Sequence, residues 1–511
     1  MFKLEGATWP PEDFQRHKFR EYSAWYSGDP NILANFYADD TSHQFLNLAY
    51  GTRNKNSFWR RQIKNDSDFF IHVPIASDIA ETSAAFLFGE SPLVRFTGKD
   101  DNNTTAQELL DTMLVESGFF QRIVEAAEAS SAMGGIYIAL CWDSEVSDYP
   151  IPVVVQPDNA FPEFRFGKLH KLTFLAGTYK GEKGKKNVYR HFETYEKGKI
   201  THELYEGSDD RVGKKVPLGT NGVLKGMRDE DKTPDILCAA YIPNMLPNRL
   251  ERQSPQGRSD LMGIETLMDA LDEAFSSWMV DIQLSRGKVM LPVDYLKKDD
   301  NGGYRFNIDK SRYVELDCDP TVANEITINQ FEIRSAQFET TILNLLDRII
   351  TSAGYSPQSF GLNIAGRAES GTALNVRERK SFATTSKKQA YWEPQLKHII
   401  KAMVMIYNES LNGGIKADPD SIIVEFCDSV SNNMTDIANS VKLLSDAKAA
   451  STETKVRMVH PEWSDSQVEE EVKKIEEADA AQYAVPNPDG NPDLSQLQFG
   501  TDEEDEEDEE I

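Results

Sequence analysis

FFIHVPIASDIAETSAAFLFGESP, residues 69–92, is too regular for a loop and too polar for a membrane span. Pro74 suits a first helical turn, where its missing N–H costs nothing. Ile75, Ile79, Ser83 and Phe86 then fall along one side, with Ala76, Ala80 and Leu87 beside them. That spacing predicts an amphipathic helix. Gly89 is placed to stop it in the left-handed conformation. Leu93–Phe96 follows as a short strand entered through Pro92.

Working outward, residues 11–68 read as mostly helical, with Phe14, Phe19, Tyr22, Trp25 and Tyr26 packing a surface helix. Thr104–Ala129 reads as two helices joined near Gly118, followed by strands at Ile136–Cys141 and Ile151–Gln156. Lys171–Ile242 is β-like, with Gly- and Lys-rich turns, so the first 250 residues form an α+β region. After a Pro-containing linker at 246–257, Ser259 can N-cap a helix of ~25 residues. Ile264, Met268, Leu271, Phe275, Trp278 and Ile282 stripe that helix, and Gly287 ends it. Lys288–Ile328 reads as a compact β-rich insert turning at 300–303, and Phe331–Ala353 as a return helix stopped by Gly354. Thr372–Tyr407 is a long helix, basic in its first half, which Pro394 is expected to kink or break. A strand at Ile422–Phe426 precedes further helices, one opened by an S-x-x-Q capping box at Ser464–Gln467 and striped by Val468, Val472 and Ile475. Beyond Ala484 the chain is too Pro-rich and too charged to pack.

Composition narrows the function. The 511 residues carry a net charge of −28, so the chain is a poor sequence-reading DNA binder, which needs Lys and Arg on phosphates. Cys141, Cys238, Cys318 and Cys427 are far apart with no CxxC pairing, against a zinc site and a disulfide scaffold and in keeping with a reducing cytoplasm. The N-terminus lacks the apolar stretch of a signal peptide, and no run reaches the ~20 apolar residues of a membrane helix. No P-loop and no G-x-S-x-G elbow occurs. His202-Glu203-Leu204-Tyr205-Glu206 has Glu where a zincin needs its second His, and reads as a chance string. His17, His43, His72, His170, His191, His398 and His460 are scattered. No catalytic, cofactor or metal constellation is expected.

Three phrases occur in a fixed order: A..LFGE.P at 84–92, Gly257-Arg258-Ser259-Asp260-Leu261, and Ser356-Pro357-Gln358-Ser359-Phe360-Gly361 leading through Gly366-Arg367 to Gly371-Thr372-Ala373. Together they resemble the SPP1-type branch of the tailed-bacteriophage portal proteins, over roughly residues 20 to 480. The resemblance implies an α+β portal-type fold. Its parts are a wing (1–257, completed by the long helix and strand of 372–431), stem helices (258–287 and 331–354), a β-rich clip (288–330), a tunnel loop (355–371), a helical crown (432–484) and a disordered acidic tail (485–511).

It further implies a homo-oligomeric ring, typically of twelve subunits, at one capsid vertex. The ring would meet the terminase large subunit, a head-completion or adaptor protein, and the major capsid and scaffold proteins. Double-stranded DNA would pass through without sequence recognition. Neither a membrane nor a cofactor is involved, and the chain is made in the host bacterial cytoplasm and ends in the virion. On this reading Asn363, Gly366 and Arg367 face DNA, and Asp299, Asp300, Asn301 and Tyr304 in the clip meet terminase or connector. Arg377, Arg379 and Lys380 pair with Glu265 and Asp272 between subunits. The alternative is an acidic intracellular enzyme or scaffold whose helical hairpin is an ordinary core element.

Overall fold

The computed structural model describes residues 4–11, 13–38, 57–62, 70–97, 101–181, 187–285, 288–292, 313–316, 327–329, 333–362, 371–411, 413–426, 434–460, 463 and 465–483. The chain divides into two compact units, Met1–Ser429 and Val430–Ile511.

The first unit opens with helices α1 (Phe14–Tyr26), α2 (Pro30–Ala38), α3 (Phe58–Gln62) and α4 (Ile75–Phe88). Asp13 caps α1, its carboxylate accepting from the Arg16 N–H at 2.8 Å. Helix α4 buries Ile75, Ala76, Ile79, Ala80, Ser83, Ala84 and Leu87, the face its periodicity predicts. Its end differs from expectation. Gly89 is right-handed, at φ −59°. Glycine is needed there because a Cβ would stand 2.5 Å from the Ala85 carbonyl oxygen. The helix stops instead where Pro92 forces its predecessor to extend. Strand β1 (Leu93–Phe96) then pairs antiparallel with residues 422–425 near the far end of the unit.

Helices α5 (Asp101–Glu116) and α6 (Phe119–Met133) are separated at Gly118, which adopts φ 69°. Strands β2 (Gly135–Cys141) and β3 (Ile151–Val155) follow. Next comes an antiparallel meander of β4 (Ala160–Arg165), β5 (Lys168–Lys180), β6 (Val188–Glu196), β7 (Lys199–Ser208) and β8 (Arg211–Val216), with β9 (Glu230–Lys232) also paired to β7. Strand β10 (Ala239–Pro243) returns to flank β2 opposite β3. The main core lies between this β2 sheet and the helices: Ile136–Leu140 pack with Phe119, Ile123 and Ala126 of α6 and with residues of the last long helix.

Helix α7 (Glu265–Leu284) is 20 residues long, shorter than the sequence suggests. Ser259 does not cap it. Its hydroxyl accepts from Leu261 N–H and donates to the Ala132 carbonyl, so residues 259–264 form a turn pinned against the end of α6. Strands β11 (Lys288–Pro292), β12 (Tyr313–Leu316) and β13 (Thr327–Asn329) form a small sheet, β11 parallel to β12 and antiparallel to β13. The turn expected at 300–303 lies outside the described residues. Helix α8 (Ser335–Ala353) returns along α7: Trp278 and Phe338 stack with ring centroids 6.2 Å apart, and Arg334 meets Asp281 at 2.9 Å. Gly354 ends α8 at φ 110°, as expected.

Helix α9 (Gly371–Ser410) runs unbroken for 40 residues through Pro394. Trp392, Leu396, Ile399, Ile400 and Met403 are wholly buried in the main core and hold the helix on both sides of the proline. Pro394 and Ala390, whose carbonyl loses its donor, both lie on the exposed face, where water can supply the bond. Strand β14 (Ile422–Glu425) completes the unit. The second unit comprises α10 (Met434–Asp446), α11 (Thr452–Val459) and α12 (Asp465–Tyr483). Ser451 caps α11, accepting from Thr454 N–H at 3.2 Å. Ser464 and the acidic tail lie outside the described residues.

Candidate functional site at the root of the helical hairpin

The turn before α7, the end of α8 and the middle of α9 converge on one buried ion pair. Lys388 of α9, 1% exposed, donates to Asp260 Oδ2 at 2.5 Å, to the Tyr355 hydroxyl at 2.9 Å and to Ser83 Oγ of α4 at 2.7 Å. Three donors thus meet three acceptors, which satisfies the ammonium. Asp260 accepts in addition from Ser131 Oγ of α6 at 2.7 Å, from the Tyr355 hydroxyl at 3.0 Å and, on its other oxygen, from Asn244 Nδ2 at 2.8 Å. Burial lowers the Lys388 pKa and Asp260 opposes that, while burial drives the Tyr355 hydroxyl well above its ordinary value. A charge this deep is tolerated because partner and hydrogen bonds arrive together.

Backbone geometry makes the convergence possible. Gly134, at φ +92°, lies against the Gly257–Ser259 chain, and a Cβ there would stand 2.7 Å from Ser259 N. A Cβ on Gly257 would in turn lie 2.4 Å from the Gly134 carbonyl oxygen. Only glycine on both sides lets the turn bearing Asp260 reach the end of α6.

Helix α9 also clamps the chain leaving α8. Thr384 Oγ1 donates to the Gly354 carbonyl at 2.6 Å, Ser381 Oγ accepts from Ser356 N–H at 2.9 Å, and Lys380 Nζ donates to the Thr351 carbonyl. Residues 363–370 therefore depart from, and return to, elements bonded to one another. A second polar cluster fixes the start of α7. Lys18 bonds Glu21 at 2.6 Å and Glu265 at 3.3 Å; Asp272 accepts from Trp59 Nε1 at 2.9 Å and Val73 N–H at 2.9 Å, and meets His72 Nδ1 at 2.8 Å. Asp269 takes the Phe58 N–H at 2.8 Å, and its burial pushes its pKa up to about 6.

These positions correct part of the sequence reading. Glu265 and Asp272, expected to face a neighbouring subunit, are held within their own chain. Asp272 is 0% exposed, and burial, opposed by Lys18, raises the Glu265 pKa. The helix turns them inward because Leu271 and Met268 beside them line the core. Arg379 and Lys380 are exposed, Lys380 turning back onto Thr351. Arg377 lies on α9 ahead of them. Asn363, Gly366 and Arg367, and Asp299, Asp300, Asn301 and Tyr304, lie outside the described residues. Lys388, in the basic first half of the long helix, is buried and paired with Asp260. Asp260, Tyr355 and Ser83 went unremarked as polar partners although each sits in or beside a phrase of the sequence pattern.

The family of models described as "Phage portal protein, SPP1 Gp6-like" matches residues 11–483. The chain belongs to the SPP1-type phage portal family. No curated protein matches it in sequence. Among solved structures, this portal chain resembles a chain titled "Virion of native gene transfer agent (GTA) particle" at 11% identity, over 89% of this chain and 95% of that one, with a TM-score of 0.37. It also resembles a chain titled "Neck of empty GTA particle computed with C6 symmetry" at 12% identity, over 80% and 94%, with a TM-score of 0.39. The phrases A..LFGE.P, G-R-S-D-L and S-P-Q-S-F-G on this portal chain supply or immediately flank Ser83, Asp260 and Tyr355 of the buried junction. Among the described residues of the portal chain, no helix is long and apolar enough to cross a membrane.

Proposed function

We propose that this portal protein closes into a homo-oligomeric ring at one vertex of a capsid, and that double-stranded DNA passes through its centre during packaging and ejection. The observation that carries the reading is the family match over residues 11–483, which takes in the hairpin and both clamped feet of segment 363–370. A ring needs each subunit to show two different faces. It also needs the parts near its axis held at fixed height against a moving polymer. A buried, fully bonded ion pair joining α4, α6, the α7 turn, α8 and α9 suits that demand. The charge of −28 per chain suits a wall past which DNA slides, since cationic sites would hold phosphates by releasing their counterions.

In this reading α7 and α8 form the stem, the β11–β13 sheet belongs to a clip that docks terminase and later a head-completion protein, and residues 355–371 form the tunnel loop. The test is native mass by light scattering after size exclusion, with negative-stain images of the same fraction. A mass many times 57.6 kDa with rings holding a central hole is expected. A species that stays monomeric or dimeric on concentration and with scaffold protein added would overturn the reading. Deleting residues 299–304 is expected to leave the rings intact and weaken terminase docking; unchanged docking would remove the clip assignment.

A further inference from the structure

Strands β6 and β7 bring together side chains that their sequence spacing keeps apart. Glu193 stands directly opposite His202 in the antiparallel register, and His191 lies two residues back on the same face of β6. His191 Nε2 and His202 Nδ1 are 3.2 Å apart, and Glu193 Oε1 is 3.6 Å from His202 Nδ1. One ligand atom from each of the three residues falls within 4.8 Å of the others. Two ligands at about 2.0–2.1 Å from a tetrahedral zinc ion stand about 3.3 Å from each other, so the separations around His202 already match a coordination edge.

The surroundings prepare each donor. His202 Nε2 lies 3.3 Å from Asp231 Oδ2 on β9; in the tautomer whose Nε2–H donates to this carboxylate, the Nδ1 lone pair faces His191. The Tyr195 hydroxyl donates to Glu193 Oε2 at 3.2 Å, which fixes the carboxylate with its other oxygen toward the imidazoles. Both imidazoles are buried, at 3% and 7% exposure, while Glu193 and Asp231 are only partly so, which leaves an approach for an ion.

We propose that His191 Nε2, His202 Nδ1 and Glu193 Oε1 bind a zinc ion, with Asp231 and Tyr195 as orienting partners and a water in the fourth position. Imidazole and carboxylate donors suit zinc among the available divalent metals, and thiolate is not needed. Cys141, 3.1 Å from the Tyr195 hydroxyl, keeps its proton because burial pushes its pKa to about 12. The ion would tie β6 to β7 and, through Asp231, to β9 at the point where β7 changes partners. The His-Glu-Leu-Tyr-Glu string thus contains a metal ligand after all, but its second histidine comes from the preceding strand.

The test is titration of the metal-stripped full-length protein with Zn²⁺ against a chromophoric chelator, followed by cobalt substitution. One tight site per chain is expected in the wild type. Asp231→Asn, at a partly exposed position outside the ligand set, should weaken it about 10–100-fold. The pair His191→Gln and His202→Gln should abolish it. Cobalt should give the intense visible bands of a four- or five-coordinate site, lost in the paired variant. Should that variant fail to fold, X-ray absorption of the zinc-loaded wild type decides: two imidazole ligands support the site, and an all-oxygen shell overturns it. Equal zinc binding by wild type and Asp231→Asn, or no tight binding by the wild type, would also overturn it.

Discussion

The two buried polar clusters of the first unit are built in opposite ways. The Asp260–Lys388 junction draws its members from six segments spread from Ser83 to Lys388, and its ammonium has every donor engaged. The His191–Glu193–His202 cluster comes from two adjacent strands within a dozen residues, and its donor atoms converge on one another. The first arrangement is closed and costs a great deal to open. The second sets two imidazoles and a carboxylate against one another, the arrangement on which the proposed cation site rests. Long-range convergence signals structural coupling of distant parts, and local convergence on a half-open sheet face signals ligand binding.

The largest test of this contrast is Asp260→Ala, which strands the Lys388 ammonium in the core. It should cost about 3–5 kcal/mol, read by urea denaturation of the full chain. Asp260→Leu combined with Lys388→Met should cost less than the single change, because no charge is then left unpaired. Equal losses would show that the pair is not the source of the cost.

The pH behaviour separates helices from sheet. The Asp269 pKa rises from 3.8 to about 6 on folding, so its contribution to stability is fully present below pH 4 and lost as the pH climbs through 6. That amounts to about 3 kcal/mol at 1.36 kcal/mol per pKa unit. Asp269→Asn should flatten this decline by comparison with the wild type between pH 4 and 7. His191 behaves oppositely: with its pKa lowered from 6.5 to about 4, its contribution is present above 6.5 and lost as the pH falls through 4. A His191→Gln variant should therefore lose less stability than wild type on acidification, and identical acid profiles would contradict the buried placement of the ring.

Gly134→Ala should cost about 1–3 kcal/mol through its φ of +92° and the contact with Ser259, and should loosen the Asp260 turn. A thermal melt showing no change would mean the turn is not braced there. At the lower end stands Arg95, which meets Glu425 at 2.7 Å across β1 and β14 with both side chains more than a third exposed. Arg95→Ala should cost about 0.2–1 kcal/mol, set against the buried pair measured in the same buffer.

Much of the architecture was legible because it follows from local rules. The stripe of α4, the break at Gly118, the strands at 136 and 151, and the stop at Gly354 all rest on periodicity or on glycine. Boundaries were missed where tertiary contacts took over. Ser259 looks like a cap but spends its hydroxyl on α6, and Pro394 looks like a break but lies on the wet side of a helix whose other side is core. The sites were harder to read. Lys388 sits in a basic run and looks like surface charge, and nothing in the run says which lysine turns inward. His191 and His202 become partners only through the register of β6 against β7, which the chain settles on folding.

The clamp of α9 on the chain leaving α8 isolates what lies between them. Thr384 and Ser381 tie down Gly354 and Ser356, so the chain on the two sides of residues 363–370 is bonded together. Lengthening such a segment carries only about 0.6 kcal/mol per doubling. Insertions between 363 and 370 are therefore expected to leave the bonded neck of α8 and α9 in place.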